Sequence, residues 1–194
     1  MPCTYMPALK ARVAELQAKF VDTHLRAEHA DPLNYAANAD DLAAFRLLIH
    51  GELEEYLENK AREGLAAMEA AFNSGRKSVR DNLSLIVIAR VLKLELRFES
   101  VHWPHDIRDI LLAAREWISK NNGIKEASFT MLSIFSGRMP DEIDAALSAG
   151  LSSYGAARGD VAHRSVARVR TIYSPSAENK AASDLVSALE AYFA

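Results

Sequence analysis

Residues 39–72 read ADDLAAFRLLIHGELEEYLENKAREGLAAMEAAF, and their spacing decides the fold. Leu42, Phe45, Leu48, Ile49, Leu53, Tyr56 and Leu57 recur at steps of three and four, the period of one face of an α-helix. Asp40 and Asp41 put carboxylates at the positive end of such a helix, and Asn73-Ser74-Gly75 is a stop signal. The pattern predicts one helix of about 35 residues, long against a mean of about 11–12, with Gly64 as a candidate bend.

Working outward, the same period governs the rest of the chain. Toward the N-terminus, Leu9, Val13, Leu16 and Phe20 follow Pro7, and Asp31-Pro32 ends that helix, because the residue before a proline is pushed out of the α region. Toward the C-terminus, a third helix is expected from Arg80 or Asp81 to about Phe98. Its centre, Leu83 to Leu96, is apolar on most sides and predicts the central core helix. ESVHWPHD (99–106) reads as a loop, and a helix from Asp106 carries Ile107, Ile110, Leu111, Ala114 and Ile118. Asn121-Asn122-Gly123 ends it by turn chemistry. A short helix spans about 125–135, Pro140-Asp141-Glu142 opens another through Ile143, Leu147, Leu151 and Tyr154, and Ser174-Pro175-Ser176 precedes the last. No stretch alternates apolar and polar residues long enough for a sheet. The expectation is an all-α chain, a single antiparallel bundle of about six to seven helices, with 1–38 as N-terminal helix and connector and 39–194 as the main helical domain.

Composition bounds the function. The chain has 194 residues, 49% apolar and 25% charged, as in ordinary globular proteins. Its 23 basic and 26 acidic residues give a net charge of −3, against a protein that coats nucleic acid over its whole surface. The charge is nevertheless polarised along the chain: residues 39–69 hold eight acids and three bases, a net of −5, whereas residues 155–172 hold four arginines and one aspartate, a net of +3. The one cysteine, Cys3, excludes an internal disulfide and a four-thiolate zinc site and fits a reducing compartment. No apolar run approaches the ~20 residues of a membrane span, and no secretory signal is apparent. The chain is expected to be cytoplasmic and not bound to a membrane.

Several site classes are unsupported. There is no GxxxxGK[ST], GxGxxG or HExxH. His102 and His105 are separated by a proline and have no third ligand nearby, so no metal site is expected. Glu52, Glu54, Glu55 and Glu58 lack the Glu-x-x-His repeat of a di-iron bundle and read as a solvated face.

The stretch SSYGAARGDVAHRS (152–165) stands out. Arg158 offers a planar, permanently charged fork suited to phosphate, and His163 is the residue type that exchanges a proton near neutrality. Asp160 is placed to orient that imidazole, and Arg164 adds charge for a polyanion. Five helical steps turn by about 500°, or ~140° net, and rise ~7.5 Å. Arg158 and His163 therefore cannot stack on one face: either the helix ends or distorts at Gly159, or the two residues converge with counterparts from a second copy. By spacing alone, an Arg and a His serving as surface charge and cap near a helix end are the commoner reading, since Arg followed by His five later is a common accident.

Arg158, four residues ending in Ala162, then His163, late in an all-helical chain, resembles the HEPN superfamily, and in particular its RiboL-PSP-HEPN branch. HGELEEYLE (50–58) resembles the early helix of that family, and NNGIK (121–125) sits where it carries a similar turn. The resemblance spans most of residues 40–194. It implies an all-α homodimer with both motifs lining one cleft, and a metal-independent and cofactor-free endoribonuclease, often in toxin–antitoxin or phage-defence systems with an antitoxin or similar partner. In that scheme His163 is the general base or acid, Arg158 holds the scissile phosphate, Asp160 is the orienting acid, and Arg164 helps bind RNA. Some members are instead non-catalytic RNA-binding or helical protein-interaction modules. Two positions depart from the pattern. Gly159 follows the arginine where many members have Asn, Asp or His, and Ser165 stands where toxins silenced by nucleotidylation carry tyrosine.

Overall fold

The computed structural model describes residues 5–97, 99, 101–163 and 172–194, and for 160–163 the backbone alone. Among the described residues the chain is all-helical, with no strand. Eight α-helices run in order: α1 (Tyr5–Phe20), α2 (Asp22–Ala30), α3 (Ala39–Asn73), α4 (Val79–Val91), α5 (Trp103–Ser119), α6 (Glu126–Phe135), α7 (Ala145–His163) and α8 (Pro175–Phe193). None of these is long and apolar enough to cross a membrane.

The count exceeds the expected six to seven because the first segment is two helices. Val21, fully buried and outside helical geometry, separates α1 from α2, and Asp22 supplies the carboxylate of a new first turn. The 35-residue α3 matches expectation in both bounds. It ends in a Schellman motif: Gly75 adopts φ 69°, its N–H bonds the Phe72 carbonyl, and the Arg76 N–H bonds that of Ala71.

Four further expectations are corrected. The third helix stops at Val91 rather than near Phe98, again by a Schellman motif, with Lys93 at φ 58° and Leu94 N–H bonded to Ala89 O. A lysine in the left-handed region carries no sequence signal, so the stop was invisible there. The central core helix is α3, not α4: Phe45, Ile49, Leu53, Leu57, Ala61 and Leu65 are fully buried, whereas Leu83 of α4 is 47% exposed. Finally, Pro140–Glu142 forms only a 3-10 turn, and α5 starts at Trp103, inside the expected loop, with Pro104 tolerated in its first turn.

The chain divides into two compact units. The first comprises Met1–Tyr56, Gly123–Glu126 and Asp144–Ala194; the second, Leu57–Asn122 and Ala127–Ile143. In the first, α1 packs on α2 and α8, and α7 packs on α8. Leu9, Leu16, Phe45, Leu53, Leu151 and Leu189 are among its buried apolar residues. In the second, α4 packs on α5, and Trp117 meets Phe135 edge-on at 5.5 Å between centroids. Gly64 there permits a close approach, since a Cβ at that position would lie 2.5 Å from Ser136 Cα.

Candidate functional site

The motif 158–163 lies in the first unit, on α7. The backbone is helical through Gly159 to His163, so the helix does not end at the glycine, and a Cβ there would meet nothing within 4 Å. Arg158 is half-buried, and its Nε is buried without a hydrogen-bond partner. Asp160 and His163 belong to the helical backbone, but their side chains lie outside the described residues, as does Arg164 altogether.

Next to Arg158, α3 supplies two residues that the sequence analysis assigned no role. Arg46 and His50 are one helical turn apart, 1% and 2% exposed, amid the apolar face of Leu42, Phe45, Ile49 and Leu53. Arg46 forms a buried ion pair with Glu178 of α8: Nη2 donates to Oε1, and Nε donates to Oε2 at 3.1 Å. Its Nη1 reaches the Ala157 carbonyl at 3.5 Å, one residue before Arg158. Glu178 also accepts the Tyr173 N–H at 2.8 Å, and the Tyr173 ring lies 5.6 Å from the Arg46 guanidinium carbon. With Tyr154 and Gly150, these residues line a cleft of about 270 Å³. The Tyr154 hydroxyl is buried without a partner. Burial, reinforced by Glu178, holds its proton well above the usual phenol range.

His50 faces α7 with one edge and its own helix with the other. A Cβ built on Gly155 would lie 3.7 Å from His50 Nε2 and 3.3 Å from Lys125 Cγ. On the other edge, Nδ1 is 3.8 Å from Glu54 Oε2, while Glu54 Oε1 accepts the Gly123 N–H. Burial, then the positive charges of Arg158 and Lys125, lower the His50 pKa from 6.5 to about 4. The imidazole is therefore neutral at pH 7, with a cationic side toward α7 and an anionic one toward Glu54.

The acidic string is not simply the solvated face expected of it. Glu55 is exposed, but Glu52 takes Arg12 Nε at 3.0 Å, Glu54 anchors Gly123, and Glu58 accepts from Arg62 at 2.7 Å and Asn121 at 3.1 Å. Among the described residues, no three His, Cys, Asp or Glu side chains are grouped to hold a metal ion. His102 instead lies 3.3 Å from Glu99. The signal that would have found Arg46 and His50 is a polar residue in a core-facing register: both fall on the apolar arc of α3. Comparison of the chain with family models, curated proteins and solved structures gives no match.

Proposed function

We propose that the chain is a metal-independent endoribonuclease of HEPN type that acts as a homodimer, in a toxin–antitoxin or phage-defence setting. The observation that carries this is Arg158: a half-buried guanidinium, within a helical turn of a buried Arg–Glu pair, that has no carboxylate partner among the described residues. A cation left uncommitted in such a place is suited to a phosphate. The continuous helix through 158–163 keeps the ~140° offset between Arg158 and His163, which favours a cleft completed by a second copy.

In this mechanism the His163 imidazole takes the proton of a ribose 2′-hydroxyl. The 2′-oxygen attacks the adjacent phosphorus, the P–O5′ bond breaks, and the leaving 5′-oxygen takes up the proton that the imidazole accepted. Arg158 holds the phosphate and stabilises the charge that grows on its oxygens. Asp160 orients the imidazole, and Arg164 adds attraction for RNA. The products are a 2′,3′-cyclic phosphate and a 5′-hydroxyl.

The test is incubation of purified full chain with RNA and with DNA of matched sequence. RNA is expected to be cut with cyclic phosphate ends and DNA to stay intact. Arg158→Ala and His163→Ala should each lower the rate by about 10²-fold or more. Cleavage that survives unchanged in both variants is contamination and overturns the proposal. RNA binding that both variants weaken, with no cutting by the parent chain, identifies a silent RNA-binding module. RNA-independent capture of a basic partner identifies a protein-interaction module.

A further inference from the structure

The cleft of about 270 Å³ between α7 and α8, within the first unit, is built for an uncharged occupant. Arg46 and Glu178, each 1% exposed, stand in its wall and cancel each other's charge. Their polar atoms are turned to one another, to the Ala157 carbonyl and to the Tyr173 N–H, so the pair has little to offer an ion. Gly150, Ala157 and Ala181 line the cleft with small side chains and leave its volume open. At the rim lies the Tyr173 ring, 61% exposed.

Tyr154 is the group that this packing leaves unsatisfied. It lines the cleft and is only 6% exposed, yet its hydroxyl has no hydrogen-bond partner, a costly state for a buried polar group. Burial, then Glu178, raise its pKa above the ordinary phenol value. The hydroxyl therefore keeps its proton at neutral pH and can donate it to an acceptor placed in the cleft. The sequence of α7 points to what carries that acceptor. Ala157 lines the cleft and Arg158 follows it, a rise of ~1.5 Å along the helix. A ligand with a flat uncharged ring in the cleft and a phosphate beside it is a nucleotide. Single-stranded RNA is read in this way, by an unstacked base laid on an aromatic side chain and hydrogen-bonded at its edge.

We infer that this cleft takes one nucleobase of the RNA, its ring against Tyr173 and an edge nitrogen or carbonyl accepting from the Tyr154 hydroxyl, so that the chain cuts beside a preferred base. The inference rests on Arg158 as the phosphate-binding group of the proposed nuclease. A base with no acceptor at that edge fits the same volume but leaves the hydroxyl unpaired, and this difference is what selects.

The experiment titrates the full chain, labelled with ¹³C in its tyrosine rings, with each of the four nucleoside 3′-monophosphates. The ring signals are assigned by their loss in Tyr154→Phe and Tyr173→Leu. One nucleotide should move both signals saturably, at lower concentration than the other three. Tyr154→Phe should weaken that nucleotide by about 5–10-fold and bring it level with the others. Tyr173→Leu should weaken all four by about 10-fold or more, through lost stacking. Tyr154→Phe should also unfold no earlier on heating than the parent, because its hydroxyl has no partner to lose. In cleavage assays, Tyr154→Phe should lower kcat/KM at the preferred base by about 5–10-fold and leave it unchanged at the others. Ring signals that stay put with all four nucleotides, or a Tyr154→Phe chain that discriminates among them as the parent does, overturn the inference. If that variant does not fold, the Tyr154 signal of the parent and the loss in Tyr173→Leu, at an exposed ring, decide it. Binding at the two tyrosines with no RNA cut keeps the cleft and removes the nuclease. Cutting indifferent to the base, with both rings unmoved, does the reverse.

Discussion

Arg46 carries a full charge into an apolar face, and Glu178, 132 positions away in sequence, is what makes this tolerable. Removing one partner of a buried pair leaves the other uncompensated, at a cost of about 3–5 kcal/mol. Arg46→Ala is therefore expected to lower unfolding stability by that order in urea titration. Arg46→Met with Glu178→Leu should cost much less, because no charge is then stranded. His50 gives a second residue-scale prediction. Folded, it stays neutral down to about pH 4; unfolded, it takes a proton near 6.5. Below pH 6.5 the unfolded chain therefore binds more protons, so stability should fall as the pH drops from 6.5 to 4 and level off beneath that. The loss is on the order of 3 kcal/mol. His50→Gln should flatten this part of the curve, and equal slopes in parent and variant would exclude the assignment. Arg158 could be singled out from sequence by residue type and spacing. His50 and Glu178 could not, because their roles depend on which helices pack together.

At the scale of elements, two glycines of α3 should respond to alanine with opposite signs. At Gly51 a Cβ meets nothing within 4 Å, so Gly51→Ala should stabilise by up to about 1 kcal/mol through helix propensity. At Gly64 the same atom would strike the backbone of Phe135 and Ser136 at 2.5–2.6 Å. Backbone cannot swing aside as a flexible side chain can, and Gly64→Ala should destabilise by about 1–3 kcal/mol despite the same propensity gain. Thermal unfolding of the two variants, rising in one and falling in the other, checks both. The helices themselves were largely legible in advance, since period and stop residues are local properties. The end of α4 was not: its left-handed residue is Lys93, where the usual signal is glycine. Nor was the break at Val21, an apolar residue that simply continues the stripe.

For the whole molecule, the proposed cleft between two copies makes a prediction that no single-chain site would share. Arg158→Ala and His163→Ala proteins, each inactive, should regain RNA cleavage when mixed and allowed to exchange subunits. Activity that stays absent in verified mixed dimers would argue for a site complete within one chain. The net charge of −3 would not suggest RNA affinity, but the +3 of residues 155–172 does. If three of its cations meet phosphates, log affinity for single-stranded RNA should fall with log salt at a slope of about −2.

The division of the backbone between the units sets a timetable for synthesis. Residues 57–143 complete one unit while the ribosome is still short of α7 and α8. Arg46 and His50 emerge early, yet Gly155 and Glu178 follow more than a hundred codons later. A nascent chain thus holds the Arg158 neighbourhood unassembled until α8 has been translated, and ribosomes stalled before that point should display a half-built protein that lacks the proposed nuclease site.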